Sequence, residues 1–320
     1  MYYPYFRGKQ YELITIRESA SIFAERNFIP IIEPVKEQLN SLRKTLDSIC
    51  ENDAKVIVVI NPQLGFHSDN NNDISVLLNN EFADVNNIIR GILLTEEQSI
   101  QDAQNLVNHY KGYGELALMH AGFSQAKKLA SMISDQQNID TSIFLENYCG
   151  KLYRRHFKSH ANKTLIRNGF QQRINRDHPP IEFFSDLHVT FEEELMNGFG
   201  DFLIVGDDYS EMGGPAYTVA IHLTFIDHEK DDEMHIHHFK SDRQDTPKDP
   251  AGKFAEALDK LITELHKPDN KIHETSAIQE FNSLHSRGHF PGLGYVKKLS
   301  MKHHIETLAK YFSERRVAAT

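Results

Sequence analysis

The chain has little of what would place it among secreted or membrane proteins. Its 320 residues include two cysteines, Cys50 and Cys149, and no tryptophan. Two thiols exclude a disulfide framework and every multi-cysteine zinc pattern, and they suit a reducing cytoplasm. No apolar run approaches the roughly 18–20 residues of a membrane span, and the mean hydropathy is −0.49. The opening MYYPYFRGKQ has no basic stretch followed by an apolar one, so no secretory signal is expected. An excess of positive charge is missing too. With 35 Lys and Arg against 45 Asp and Glu, the formal charge is −10, which argues against a whole-surface nucleic-acid footprint. H-E-x-x-H, paired C-x-x-C, Walker A and G-x-S-x-G motifs are all absent.

What the chain does have is a rhythm. Short β-rich runs, each followed by a polar, helix-compatible stretch, occur at Tyr2–Phe6, Phe28–Glu33, Val56–Asn61 and Ile89–Thr95. They continue at Glu115–His120, Ser142–Asn147, Thr164–Arg167 and Asp201–Val205. Near-continuous Ile, Val and Leu indicate strands covered on both faces, as in parallel sheets under helices. Tyr11–Arg26 and Asn40–Cys50 are amphipathic helix candidates between them. The alternation predicts a TIM-like (β/α)8 barrel over residues 1–212, with an open doubly wound sheet as the alternative.

After Val205 the rhythm breaks. Tyr217–Ile226 and Glu233–Ser241 read as a hairpin about the acidic turn Asp227–Asp232. Phe254–His266, Ala277–His285 and Met301–Phe312 read as helices, the first introduced by Asp249-Pro250. Residues 213–320 are therefore expected as a hairpin plus helices packed on the barrel in one integrated domain.

The chemistry of a barrel sits at the carboxyl ends of its strands. Those ends offer Arg7, Lys9, Glu33, Asn61, Glu146, Arg167 and Asp207, among others. Polar residues also simply begin loops. Glu33 and Asn61 are set apart because each precedes a proline that fixes the strand exit. In an enzyme, Glu33 and Asp186 would act as acid and base or hold a divalent metal. Arg7, Lys9, Asn61, Arg167, Arg173, Asp207 and Lys298 would hold a phosphorylated ligand or nucleotide. The first-choice metal ligands among 18 histidines are His222, His237 and His303. The Gly-rich segment His289–Tyr295 with Lys297 and Lys298 reads either as an anion cradle or as a structural turn. Lys151–Arg176 carries eight basic residues and no acid, whereas Glu192–Glu211 carries seven acids and no Lys or Arg. These runs are two solvated faces or, for residues 151–176, a rim able to meet nucleic acid.

Several of these segments carry a resemblance. They are Tyr3-Pro-Tyr-Phe-Arg-Gly-Lys-Gln-Tyr-Glu-Leu, Pro30-Ile-Ile-Glu-Pro-Val-Lys, Ile60-Asn-Pro and Phe183-Phe-Ser-Asp-Leu-His. Also among them are Gly213-Gly-Pro-Ala-Tyr-Thr-Val-Ala-Ile-His, His237-His-Phe-Lys-Ser-Asp and the stretch from Phe290 to Glu306. Together they resemble an uncharacterised bacterial family known by a locus label beginning "sce" (in words, seventy-seven twenty-five). More distantly, the two ends of the chain are similar to the beta proteins of phage-satellite loci. The resemblance implies a barrel-like α/β fold and a place in bacterial defence or mobile-element loci. It also implies a co-encoded partner resembling PD-(D/E)xK nucleases. It supplies no catalytic residue set.

Three functions follow as expectations: a cytoplasmic defence component acting with that partner, an enzyme with a phosphorylated ligand at the barrel mouth, or a non-catalytic scaffold. In the second, Arg7, Lys9, Glu33 and Arg167 share one end of the barrel. Replacing Lys9 and Glu33 together by alanine should then abolish function with little loss of fold.

Overall fold

The computed structural model describes residues 1–134, 136, 138–211 and 214–318, with side chains up to residue 315. The chain divides into two compact units. One comprises residues 1–168 and 187–202, the other residues 169–186 and 203–320.

The first unit is a (β/α)8 barrel. Strand β1 (Tyr5–Phe6) is followed in spatial order by β2 (Ile31–Ile32), β3 (Val56–Val59), β4 (Ile88–Thr95), β5 (Leu116–Ala121), β6 (Ile139–Leu145) and β7 (Asn162–Ile166). All are parallel. β8 (Ile181–Ser185) belongs to the other unit, and β9 (Gly198–Gly200) returns to pair with β7. Main-chain bonds close the circle: Tyr3 N–H donates to Phe199 O at 2.8 Å and Tyr5 N–H to Asp201 O at 2.9 Å. Tyr5, Ile31, Ile57, Val59, Leu93, Met119, Ile143 and Ile166 fill the interior as one buried cluster. The β-branched and aromatic residues of these runs suit strands whose faces are all covered.

The last barrel strand is not the one expected. Asp201–Val205 forms no strand, and Leu203 has a positive φ of 49°. The closing strand is the Gly-Phe-Gly of β9, three residues earlier. Space explains the choice. A Cβ on Gly198 would lie 2.8 Å from Met1 O and from the Tyr3 ring, and one on Gly200 would overlap the Tyr3 carbonyl. Asp201, and not Asp207, therefore follows the eighth strand. The expected helix Tyr11–Arg26 is two helices, Gln10–Glu18 and Ala20–Arg26, broken at Ser19.

In the second unit the hairpin forms as expected, from β10 (Ala220–Asp227) and β11 (Glu233–Lys240). Strand β8, from the residues between β7 and β9, adds antiparallel to β11. Helices Pro250–Leu265, Ser276–Arg287 and Leu293–Ala318 accompany this sheet. Asp249 caps the first, accepting from Gly252 N–H, with Pro250 inside the first turn. Apolar faces of β10 and the helices share one buried cluster that includes Ile221, Leu223, Phe254, Leu258, Phe281 and Leu299. The expected boundary between residues 212 and 213 lies outside the described residues. The units instead exchange chain at 168/169, 186/187 and 202/203. No helix among the described residues is long and apolar enough to cross a membrane.

Closure sets a stability test. Gly200→Ala should cost about 2–3 kcal/mol or more through overpacking. Gly150→Ala, which points into open space, should stay within about 0.5 kcal/mol of wild type in urea unfolding.

Candidate functional site

The barrel mouth does gather Arg7, Lys9, Glu33, Asn61 and Arg167, at the carboxyl ends of β1, β2, β3 and β7. Their partners, however, are one another and the scaffold. Glu33 is fully buried and paired with Arg7, and it accepts from the Tyr5 hydroxyl at 2.8 Å and from Gln63 N–H at 3.0 Å. Asn61 imitates one more strand residue: its amide donates to Leu93 O and accepts from Leu93 N–H, both at 2.8 Å. Arg167 makes a two-pronged pair with Glu146, at 2.6 and 3.0 Å. Lys9 is the residue that caps helix Gln10–Glu18. A carboxylate with this many donors inside a barrel is structural in consequence, whatever else it does.

The basic run meets the acidic one. Within the first unit Arg154, itself buried, pairs with Glu194 at 2.6 Å, and Lys151 pairs with the same carboxylate at 3.1 Å. Further along, Arg173 pairs with Glu182 at 2.8 Å. Residues 151–176 thus do not form a uniformly cationic rim.

Asp186, Arg173, Asp207 and Lys298 all belong to the second unit. Lys298 is buried with its ammonium 4.0 Å from the centre of the Tyr295 ring. The last helix starts at Leu293, eight residues before its expected beginning at Met301. The Gly-rich turn therefore leads straight into it, and His303 and His304 are interior to it. Of the three expected metal ligands, His222 alone joins a histidine cluster. His237 stacks on Phe239 at 3.9 Å. His303 is buried between Thr275 Oγ1 at 2.9 Å and Thr224 O at 2.8 Å.

The cluster is His178, His222 and His238, with one ring nitrogen of each within 4.8 Å of the others. The hairpin register sets His222 directly opposite His238, and their Nδ1 atoms are 2.7 Å apart. His178 comes from the segment leading into β8, whose Glu182 binds His238 Nε2 at 3.0 Å and His178 Nδ1 at 3.3 Å. Burial alone would raise the Glu182 carboxyl, but hydrogen bonds from Arg173 and His178 outweigh it and hold the group below its usual range. The network then assigns the tautomers. An ionised Glu182 only accepts, so His238 Nε2 and His178 Nδ1 both carry protons. His238 Nδ1 therefore accepts from His222 Nδ1–H, leaving the lone pairs at His222 Nε2 and His178 Nε2. The latter nitrogen is buried and has no hydrogen-bond partner. Burial, reinforced by the neighbouring His178, pushes His238 down to about 4, and burial likewise lowers His178 and His222. All three rings are neutral at pH 7, and His238 Nδ1 becomes free to ligate once the His222 proton moves from Nδ1 to Nε2.

His222 also lines a cavity of about 620 Å3. Arg173, Arg176 and Lys297 stand in its wall, which includes no carboxylate among the described residues. Ile174, Tyr217 and Leu293, all exposed large apolar side chains, line it as well. Sequence reasoning missed His178, His238 and Glu182. The signal for His238 was the hairpin register; nothing local marked the other two. No family model, curated protein or solved structure matches the chain.

Two outcomes follow. Glu33→Ala should destabilise by about 3–5 kcal/mol, because it strands a buried guanidinium; chemical unfolding reads this directly. The alanine pair at Lys9 and Glu33 is thus expected to damage the fold as well as any function. The second outcome concerns acid. Burial holds His120 and His303 at about 3 and His237 and His238 at about 4. Unfolded histidines bind protons near 6.5 while these remain neutral, so stability is full above 6.5. It should then fall as pH drops toward 4, by about 1.4 kcal/mol per pH unit for each histidine. Denaturation midpoints between pH 7.5 and about 4 check it.

Proposed function

We propose that the second unit binds a phosphorylated ligand of nucleotide size, and that the chain works in a bacterial anti-phage or mobile-element system beside a nuclease-like partner. The observation that carries the ligand reading is the cavity wall, where Arg173, Arg176 and Lys297 line one space with no carboxylate among the described lining residues. Lys297 has no ion pair among the described residues, whereas Arg173 is held by Glu182 and Arg176 lies 3.5 Å from Asp177 in an exposed pair. Guanidinium and ammonium groups of this kind match phosphate oxygens. Tyr217, Ile174 and Leu293 add the apolar surface that a base or similar ring would cover.

The defence reading is supported by the resemblance. Two of the segments that carry it, the one reaching His222 and the one from Phe290, also furnish this wall through Pro215, Tyr217, Val296 and Lys297. Compared with the barrel-mouth alternative, the cavity is favoured because Arg7 and Arg167 are already paired with Glu33 and Glu146.

Calorimetry and thermal shift with a panel of nucleotides test the ligand. Binding should raise the unfolding temperature, and Lys297→Ala or Arg176→Ala should weaken it by about tenfold or more with unfolding otherwise unchanged. Absence of any nucleotide response, or a response indifferent to both substitutions, removes the cavity reading. Co-purification with the neighbouring gene product and loss of phage protection on deletion test the partner reading separately.

A further inference from the structure

We infer that His178, His222 and His238 form a three-nitrogen site for a divalent zinc-class cation, with Glu182 as the carboxylate that orients two of the ligands. This is independent of whether the cavity takes a phosphorylated molecule.

Three observations converge on it. The first is the clustering itself: three rings from separate segments bring ligating nitrogens within 4.8 Å of one another. A cation held at about 2.0–2.1 Å by each needs nitrogens about 3.3 Å apart. The His222–His238 hydrogen bond, with its nitrogens 2.7 Å apart, opens by about 0.6 Å as His222 shifts its proton from Nδ1 to Nε2, which frees the His238 Nδ1 lone pair; ring rotations that draw the widest pair together by about 1.5 Å at most then complete the shell. The second is the direction of the outer bonds. Histidines that hold metals give their other N–H to a carboxylate, which fixes the tautomer and strengthens the ligand. Glu182 receives such bonds from both His178 and His238. The third is an unmet need. His178 is 2% exposed and its Nε2 lacks any hydrogen-bond partner, a desolvation cost that a bound cation would offset.

The ring chemistry agrees with the class of ion. Neutral imidazoles suit zinc and its late first-row neighbours, and three of them leave a fourth position open. His222 lines the cavity, so the cation borders that space. An ion so placed acts as a Lewis acid and lowers the pKa of a bound water. Phe170, whose ring lies 5.3 Å from those of His178 and His222, walls the cluster with an apolar face. Arg173, Lys240 and Lys297 add positive charge nearby, which opposes a cation and sets the affinity below that of an all-cysteine structural site.

The test uses the full chain stripped with a chelator. Zinc is titrated in competition with a chromophoric chelator, and cobalt serves as a spectroscopic probe of nitrogen coordination. One equivalent should bind with a Kd on the order of 10 µM or tighter and raise the unfolding temperature. His178→Ala and His238→Ala should each weaken binding by about 100-fold or more, and Glu182→Gln by about 10–100-fold. His237→Ala should change nothing. Where an alanine variant loses its fold by circular dichroism, the Glu182→Gln titration and the wild-type cobalt spectrum decide instead. A wild-type chain that takes up no equivalent of zinc at about 100 µM overturns the proposal. So does binding that survives His178→Ala and His238→Ala, or that is indifferent to Glu182→Gln.

Discussion

An open sheet leaves a row of unpaired main-chain groups at each edge, and here closure into a barrel depends on a few main-chain bonds between residues 1–5 and residues 199–201. Tyr3 and Tyr5 donate to Phe199 and Asp201, and Phe199 donates to Met1. Those bonds need the two backbones close together beside a row of aromatic and branched interior side chains. Gly198 and Gly200 make that approach because neither has a Cβ to place against Tyr3. Without them the barrel would retain two open edges and an exposed layer of tyrosine and isoleucine.

That constraint shapes the chain path. After β7 the chain does not go directly to its closing strand. Residues 169–186 first contribute a strand to the second unit, and residues 187–202 then return to finish the barrel. Both units are therefore discontinuous in sequence. β8 has no sheet partner until β11, about fifty residues later, is in place. The histidine cluster inherits this arrangement: His178 and Glu182 precede the closing strand, while His222 and His238 follow it.

This path decides what could be read from residues alone. Seven barrel strands announced themselves as short β-rich runs, the central ones rich in Ile, Val and Leu because both their faces are covered. The eighth did not, since Gly-Phe-Gly scores as a turn and the apolar Asp201–Val205 next to it scores as a strand. Close approach overrode propensity there. The hairpin was legible from alternation about Asp227–Asp232, and with its register comes the His222–His238 pair. His178, by contrast, stands before two prolines in an irregular segment. Its partnership with His222 exists only in three dimensions. The charge runs show the same limit: composition separates Lys151–Arg176 from Glu192–Glu211, but Arg154 and Lys151 share Glu194.

The contrast between the two polar networks then rests on satisfaction. At the barrel mouth the groups complete one another. Glu33 takes three donors, Asn61 bridges to the next strand, and Arg167 lies on Glu146, so burial there is balanced by bonds. An unpartnered buried nitrogen alone does not mark a site. His120 Nε2 is also unpartnered, but its ring is packed against Phe144, Tyr153 and Phe157, with Cys149 donating to its main chain. His160 and a thiol that burial pushes up to about 11 are near it, but among the described residues no third ligand closes a group of three around that ring. His178 differs because its neighbours are two further neutral imidazoles and a carboxylate that has already fixed two of the protons. A buried lone pair with no donor, in a cluster whose outer protons a carboxylate already takes, is a place where a divalent cation completes the bonding even against the charge of Arg173, Lys240 and Lys297.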